Sequence, residues 1–201
     1  DPSNQYVFVP VTNSDQIAQY EFDASSGQLT PNQPGSVVTG SNVGPRHLVF
    51  HPTLARLYVV NEHADSVTVY DFDPQTGLLD PLETESTLPA GANGSNNTCA
   101  DIHVTPDGKH VYASNRGHDS IAGFSVDATS GELTPLGHTP TEETPREFEI
   151  TPDGRHLYAA GQPTNQLAAY TIETDGALTP ITTYPVGQAP LWVLAISVPS
   201  P

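Results

Sequence analysis

The sequence predicts an all-β fold built from a four-stranded antiparallel unit that recurs about every 50 residues. Three observations carry this prediction. Short runs of β-branched and aromatic residues alternate with polar ones, and no apolar stripe of helical period runs through the chain. Twenty prolines and sixteen glycines punctuate those runs. Finally, the stretch Ala100–Leu136, ADIHVTPDGKHVYASNRGHDSIAGFSVDATSGELTPL, reads as one complete unit whose pattern recurs elsewhere in the chain. In it IHVT and HVYAS are strands joined by Thr105-Pro106-Asp107-Gly108. Proline pre-sets φ there, aspartate bonds back to the backbone, and glycine takes the left-handed position. SIAGFSV is the third strand, and Asp127–Gly131 is the turn into the fourth.

Taken in order, the second strands of the units are Tyr6–Val11, Arg56–Asn61, His110–Asn115 and His156–Gly161. The third strands are Ile17–Asp23, Val67–Asp73, Ile121–Asp127 and Leu167–Glu173. Each is followed by a turn (SGQLTP, TGLLDP, SGELTP, DGALTP), a weaker fourth strand, and then the first strand of the next unit. The aligned aromatics Phe8, Tyr58, Tyr112 and Tyr158 fall 50, 54 and 46 residues apart. Four strands per repeat of this size are the signature of a β-propeller. Residues 1–201 then form a single propeller region of four blades' worth of strands, a partial or half ring. The chain opens on a second strand, and Leu191–Ser197 is expected to pair with that opening unit as a closing strand, with Trp192 packed into the core.

The chain carries 23 acidic residues against Lys109 and five arginines, for a formal charge of −17. Such a balance disfavours nucleic acid and anionic membranes as partners, because phosphate neutralisation needs clustered Lys and Arg. It points to a surface adapted to molar salt, where self-repulsion is screened. A cytoplasmic protein of a halophilic prokaryote is expected. Cys99 is alone, so no intrachain disulfide forms, and no local signature marks it as a thiol catalyst. No apolar run is long enough to span a bilayer as a helix. Gly-x-Ser-x-Gly elbows and Gly-rich phosphate loops are missing. The histidines lack metal-ligand spacing, so neither a catalytic metal nor another cofactor is expected.

In a propeller, the loop before each innermost strand and the loop after each second strand share one face around the channel mouth. Repeat arithmetic places Arg46, Ala100 and Arg146 at one equivalent position on that face, and Glu62, Arg116 and Gln162 at another. Three of the five arginines therefore gather near the axis. Two are repeated Pro-Arg pairs, Pro45-Arg46 and Pro145-Arg146. A guanidinium fork suits a carboxylate or phosphate. These arginines could instead pair with Glu62, Glu142 or Asp101 and cap the blades. His103 lies in an innermost strand, placed either to line the channel as an acid or base or to sit in the core. Alternation sends His47 to the face opposite Arg46, which reads as structural. It is nonetheless carried with Arg116, Gln162 and Gln188 among the substrate-contacting candidates.

The segments GPRHLVFHP, VVNE, ADIHVTPDGKHVYASNR, LGHTPTEETPR, GRHLYAAGQ and YPVGQAPLWV resemble the bacterial 6-phosphogluconolactonase family. These proteins are seven-bladed propellers related to the carboxymuconate lactonizing enzymes. The resemblance runs over essentially the whole chain but covers only the C-terminal four-sevenths of such a protein. The three N-terminal blades have no counterpart here, nor does the strand preceding Asp1, where members carry an active-site histidine. It implies hydrolysis of a small anionic lactone or sugar phosphate. Arg46, Arg116 and Arg146 would hold the anion, and Glu62 would act as general base or orient one. A carboxymuconate cyclase activity and a catalytically silent binding scaffold are the alternatives. The chain is expected to be part of a longer protein, or to pair with a second copy into a larger ring, rather than to close alone.

Overall fold

The computed structural model describes residues 1–198 and consists of four antiparallel sheets, each a simple meander. The first holds β1 (Tyr6–Val11), β2 (Gln16–Asp23) and β3 (Gln28–Val38). The second holds β4 (Pro45–Phe50), β5 (Arg56–Asn61), β6 (Ser66–Asp73) and β7 (Leu78–Ser86). The third holds β8 (Thr98–Val104), β9 (His110–Arg116), β10 (Ser120–Val126) and β11 (Leu133–Pro140). The fourth holds β12 (Pro145–Ile150), β13 (His156–Gly161), β14 (Gln166–Ile172) and β15 (Leu178–Pro185). These are blades of a β-propeller, with β4 beside β8 and β8 beside β12 at its inner edge.

Each core lies between two blades. Tyr58, Val60 and Val69 pack against Ile102, Val111 and Phe124, while Tyr112 and Ile121 pack against Phe148, Leu157 and Tyr170. Each fully buried large side chain contributes about 1.5–3 kcal/mol by leaving water. The repeat aromatics also carry a polar tie. Tyr58 Oη donates to the Gly131 carbonyl at 2.9 Å, and Tyr112 Oη donates to that of Gly176 at 2.9 Å. In both cases a second-strand tyrosine grips the outer turn of the following blade.

The Thr105–Gly108 turn closes as its residues dictate. Gly108 takes φ +75°, its N–H donates to Thr105 O at 2.8 Å, and Thr105 Oγ1 donates to Asp107 Oδ1 at 2.7 Å. A Cβ at Gly108 would strike the His51 ring of the neighbouring blade, whose Nε2 donates to the Gly108 carbonyl at 3.0 Å.

The innermost strands share an irregularity that shapes the site. Pairing of β4 with β5 steps from Pro45–Asn61 to His47–Val60, leaving Arg46 as an extra residue. The same step occurs on β12, from Pro145–Gly161 to Glu147–Ala160, and on β8 between Cys99 and Ile102. Such a bulge sets two residues against one and breaks the alternation of sides. The expectation that His47 points away from Arg46 is therefore corrected: both side chains turn toward the propeller axis.

The closing strand is also corrected. Leu191–Ser197 forms no strand, and β1 pairs with β2 alone. A strand exists only with a neighbour to exchange ladder hydrogen bonds, and the four blades do not bring residues 191–197 into a ladder with β1. Trp192 is 70% exposed rather than packed in the core, and with Val193 and Pro10 it borders the axial cavity.

Candidate active site

A cavity of about 360 Å³ opens at the axis, lined chiefly by Arg46–Val49 of β4, Asp101–His103 of β8 and Glu147–Glu149 of β12. The three four-stranded blades supply equivalent positions, so residues far apart in sequence stand side by side. His47, Asp101 and Glu147 form one such tier, and Val49, His103 and Glu149 another.

Asp101 is the hub, only 2% exposed. Its carboxylate accepts from His47 Nδ1 at 2.8 Å and from His103 Nε2 at 3.1 Å. It also accepts from the backbone N–H groups of Ile102 at 2.9 Å and Phe148 at 3.1 Å. Burial pushes its pKa up, but the hydrogen bonds from His103 and His47 outweigh that and hold it well below the carboxylate range. For His103, burial favours the neutral ring, yet the Asp101 contact and the charges of Glu149 and Glu147 raise its pKa above the ordinary value. Its Nδ1 lies 3.5 Å from Glu149 Oε1, and its ring stands edge-on to Phe148. Glu147, its side chain 7% exposed, is pushed up to about 7 by burial and by the Asp101 charge, against the pull of His47 and Arg46.

Arg46 forms the cavity's cationic wall. Its Nη1 meets the Ala100 carbonyl, lies 3.1 Å from His47 Nε2 and 3.8 Å from Glu147 Oε1. Behind it, Glu62 bridges two guanidiniums, with Oε2 3.4 Å from Arg46 Nε and Oε1 2.6 Å from Arg116 Nη2. Arg116 Nη2 also donates to the Cys99 carbonyl at 2.9 Å. The sequence reading that arginines pair with Glu62 thus applies to two of the three. Arg146 stays half-buried, close enough to Arg46 for their charges to repel, and among the described residues its side chain makes no ion pair or hydrogen bond. Gln162 is half-buried and Gln188 exposed, and neither lines the cavity.

Sequence reasoning missed Asp101, Glu147 and Glu149 as site residues. Only the repeat register could have found them, since they fall one position after Arg46 and its equivalents, or level with His103. His47, Asp101 and Glu147 bring one nitrogen and two carboxylate oxygens within 4.8 Å of one another, donor types that a divalent metal accepts. The Arg46 guanidinium already lies against two of the three. Cys99 is buried and its thiol pushed up to about 12 by burial, which makes it a poor nucleophile.

A family profile described as Lactonase, 7-bladed beta-propeller, matches residues 1–195. The chain belongs to this lactonase family. It is 40% identical over 195 residues to the 6-phosphogluconolactonase of Erwinia tasmaniensis, covering 96% of this chain and 58% of the relative. It is 38% identical over 194 residues to that of Serratia proteamaculans, with the same coverage. The chain thus spans 58% of the length of these curated relatives. The structure of Pseudomonas aeruginosa periplasmic gluconolactonase, PpgL, superposes with a TM-score of 0.90 at 28% identity, over 98% of this chain and 55% of that one. In this chain, the bulged inner strands β4, β8 and β12 are what gather the cluster around Asp101. No helix among the described residues is long and apolar enough to cross a membrane.

Proposed function

We propose that the chain carries the hydrolytic site of a sugar lactonase, acting on 6-phosphogluconolactone or a related aldonolactone. The observation that carries this reading is buried Asp101 holding two imidazoles on a cavity floor beside Arg46. Family membership and the names of its relatives support the substrate class. His47 is oriented through Nδ1 by Asp101, and its Nε2, which accepts from Arg46 at 3.1 Å in the resting site, takes a proton from the attacking water once Arg46 turns to the forming oxyanion. Arg46 holds the oxyanion that forms, in a site where fixed donors need no reorganisation. Glu62 has both carboxylate oxygens engaged by guanidiniums, so it positions Arg46 rather than taking the proton. His103, its two ring nitrogens set against Asp101 and Glu149, holds the Asp101 carboxylate in place beside His47. Arg146, free of carboxylate partners among the described residues, meets the substrate's phosphate or carboxylate.

The test is hydrolysis of 6-phosphogluconolactone and of gluconolactone, corrected for spontaneous opening, in wild type, Arg46→Ala and His47→Ala. Losing an oxyanion donor lowers kcat by about 10²–10³-fold. A background rate in all three proteins would leave the chain a binding scaffold.

The formal charge of −17 supports a halophilic, cytoplasmic protein, and the three-stranded first sheet supports assembly with further blades or a second copy into one ring. A melting temperature that rises steadily from dilute buffer to molar KCl is expected on this reading, and a flat curve would oppose it. Light scattering at each salt concentration reports the assembly.

A further inference from the structure

We propose that Glu147 is the proton donor of the site: its carboxyl, paired with that of Asp101, supplies the proton that the ring oxygen of a bound lactone takes up as the C–O bond breaks. This rests on the lactonase reading above and adds to it a residue that neither the sequence motifs nor the arginine cluster singles out. Glu147 occupies the bulge of β12 at the position that His47 and Asp101 hold on β4 and β8. Its side chain is 7% exposed yet borders the cavity, and its carboxyl oxygen lies within 4.8 Å of Asp101's and of the His47 nitrogen.

Two carboxyls so close and so shielded from water cannot both carry full charge. Hydrogen bonding decides which one does. Asp101 receives two imidazole and two backbone donors. Glu147 receives none of these, and Arg46 at 3.8 Å stands beyond hydrogen-bond length. The negative charge therefore rests on Asp101 and the proton on Glu147. The groups facing Glu147 from each packed element are Arg46 and His47 on β4, Asp101 and His103 on β8, and Arg146 and Glu149 on its own strand. Burial and Asp101 favour the protonated form, the cations oppose it, and the balance falls at about 7. That is where an acid is protonated and still willing to give up its proton.

The step balances. His47 takes one proton from the attacking water, and the new C–O bond leaves a tetrahedral oxyanion against Arg46. As it collapses, the ring C–O bond breaks and its electron pair goes to the ring oxygen, which takes the Glu147 proton. The His47 imidazolium then gives its Nε2 proton to solvent and the Glu147 carboxylate takes one up from solvent, so both groups regain their starting forms and water and lactone give the hydroxy acid with nothing left over.

The experiment pairs kinetics with a titration. In wild type, kcat should fall as pH rises through about 7, the value at which Glu147 loses its proton. Glu147→Gln should lower kcat by about 10²–10⁴-fold and erase that limb, with 6-phosphogluconate still bound. Glu147→Asp should restore part of the rate and the limb with it. Separately, ¹³C NMR of glutamate carboxyls should show one group titrating near neutrality in wild type and none in Glu147→Gln, whether or not a substrate is turned over. Active wild type whose alkaline limb survives in the folded Gln variant overturns the donor role and leaves the lactonase reading standing. A spectrum without a carboxyl titrating near neutrality overturns the stored proton itself. Absence of hydrolysis in wild type overturns the lactonase reading and, with it, the donor role.

Discussion

His47 Nδ1 donates to Asp101 Oδ1 over 2.8 Å although the two residues stand 54 positions apart on neighbouring blades. The contact exists because each occupies the bulge of its own inner strand, so two equivalent positions face each other across the gap between blades. It ties blade packing to the orientation of the imidazole, and stability and chemistry should respond together when it is cut.

Asp101→Asn keeps the shape but removes the charge that two imidazoles and two backbone amides address. Breaking a buried, hydrogen-bonded charge network costs about 3–5 kcal/mol. Urea unfolding should show a loss of that order. A loss under about 1 kcal/mol would place the contact with exposed ion pairs.

The pH dependence of stability should have two separable limbs. The Asp101 pKa is depressed in the fold, so its contribution is complete above the ordinary carboxylate value of about 3.9 and is lost as pH falls toward the depressed one. The His103 pKa is raised, so its contribution is complete below about 6.5 and is lost as pH rises through the folded value. Glu147, its pKa pushed up to about 7, contributes stability that is complete below about 4.3 and lost as pH rises toward 7, so melting temperatures should fall in acid through Asp101 and, as pH rises, in overlapping steps through Glu147 and His103. His103→Gln should remove the upper part of the fall with rising pH, leave the part due to Glu147, and leave much of the acid fall, because His47 still contacts Asp101. If the alkaline fall persists unchanged in His103→Gln, another group causes it.

Glu62→Gln replaces the shared counter-charge of Arg46 and Arg116 with a neutral amide. Charge-assisted hydrogen bonds of this kind contribute about 1.5–3 kcal/mol, and Glu62 is only partly exposed, with 23% of its side chain accessible. A destabilisation near the lower end of that range is expected in thermal melts. With Arg46 less firmly held, kcat should fall more than binding of 6-phosphogluconate. An unchanged kcat would remove Glu62 from the machinery.

Tyr58→Phe and Tyr112→Phe each delete one tie to the next blade, from Oη to the carbonyl of Gly131 or Gly176. Each should cost about 1–3 kcal/mol, since a buried carbonyl loses its donor. Gly176→Ala should cost more than the ordinary penalty of about 1 kcal/mol for a poorly matched backbone site. Its φ is +84° and the added Cβ would meet the His110 ring and Leu136. Denaturant midpoints of the three variants, at constant m-value, would check this ranking.

Most of the blade architecture was legible in the chain. The second strands predicted at Tyr6–Val11, Arg56–Asn61 and His156–Gly161 coincide with β1, β5 and β13, and His110–Asn115 falls one residue short of β9. These features are local: strand alternation, Pro-Asp-Gly turns and a repeat aromatic are written within a few residues of where they act. Arg46 and His103 were also placed toward the axis, because repeat arithmetic carries a position from one blade to the next. What failed was whatever depended on a single inserted residue or on two distant segments meeting. Strict alternation put His47 on the wrong side of β4, and ring logic made a strand of Leu191–Ser197.

By itself, then, the sequence determined the fold, the blade boundaries and the face on which the charged residues gather, since each follows from short-range stereochemistry repeated four times. Only the tertiary structure decided that Asp101 joins His47 and His103, that Glu62 is spent on two arginines, and that Glu147 is buried beside Asp101. Those facts depend on angstrom-scale distances between blades and on exclusion of water. Both arise from inter-blade packing and from bulges that shift every later side chain by one, and neither has a local signature in the chain.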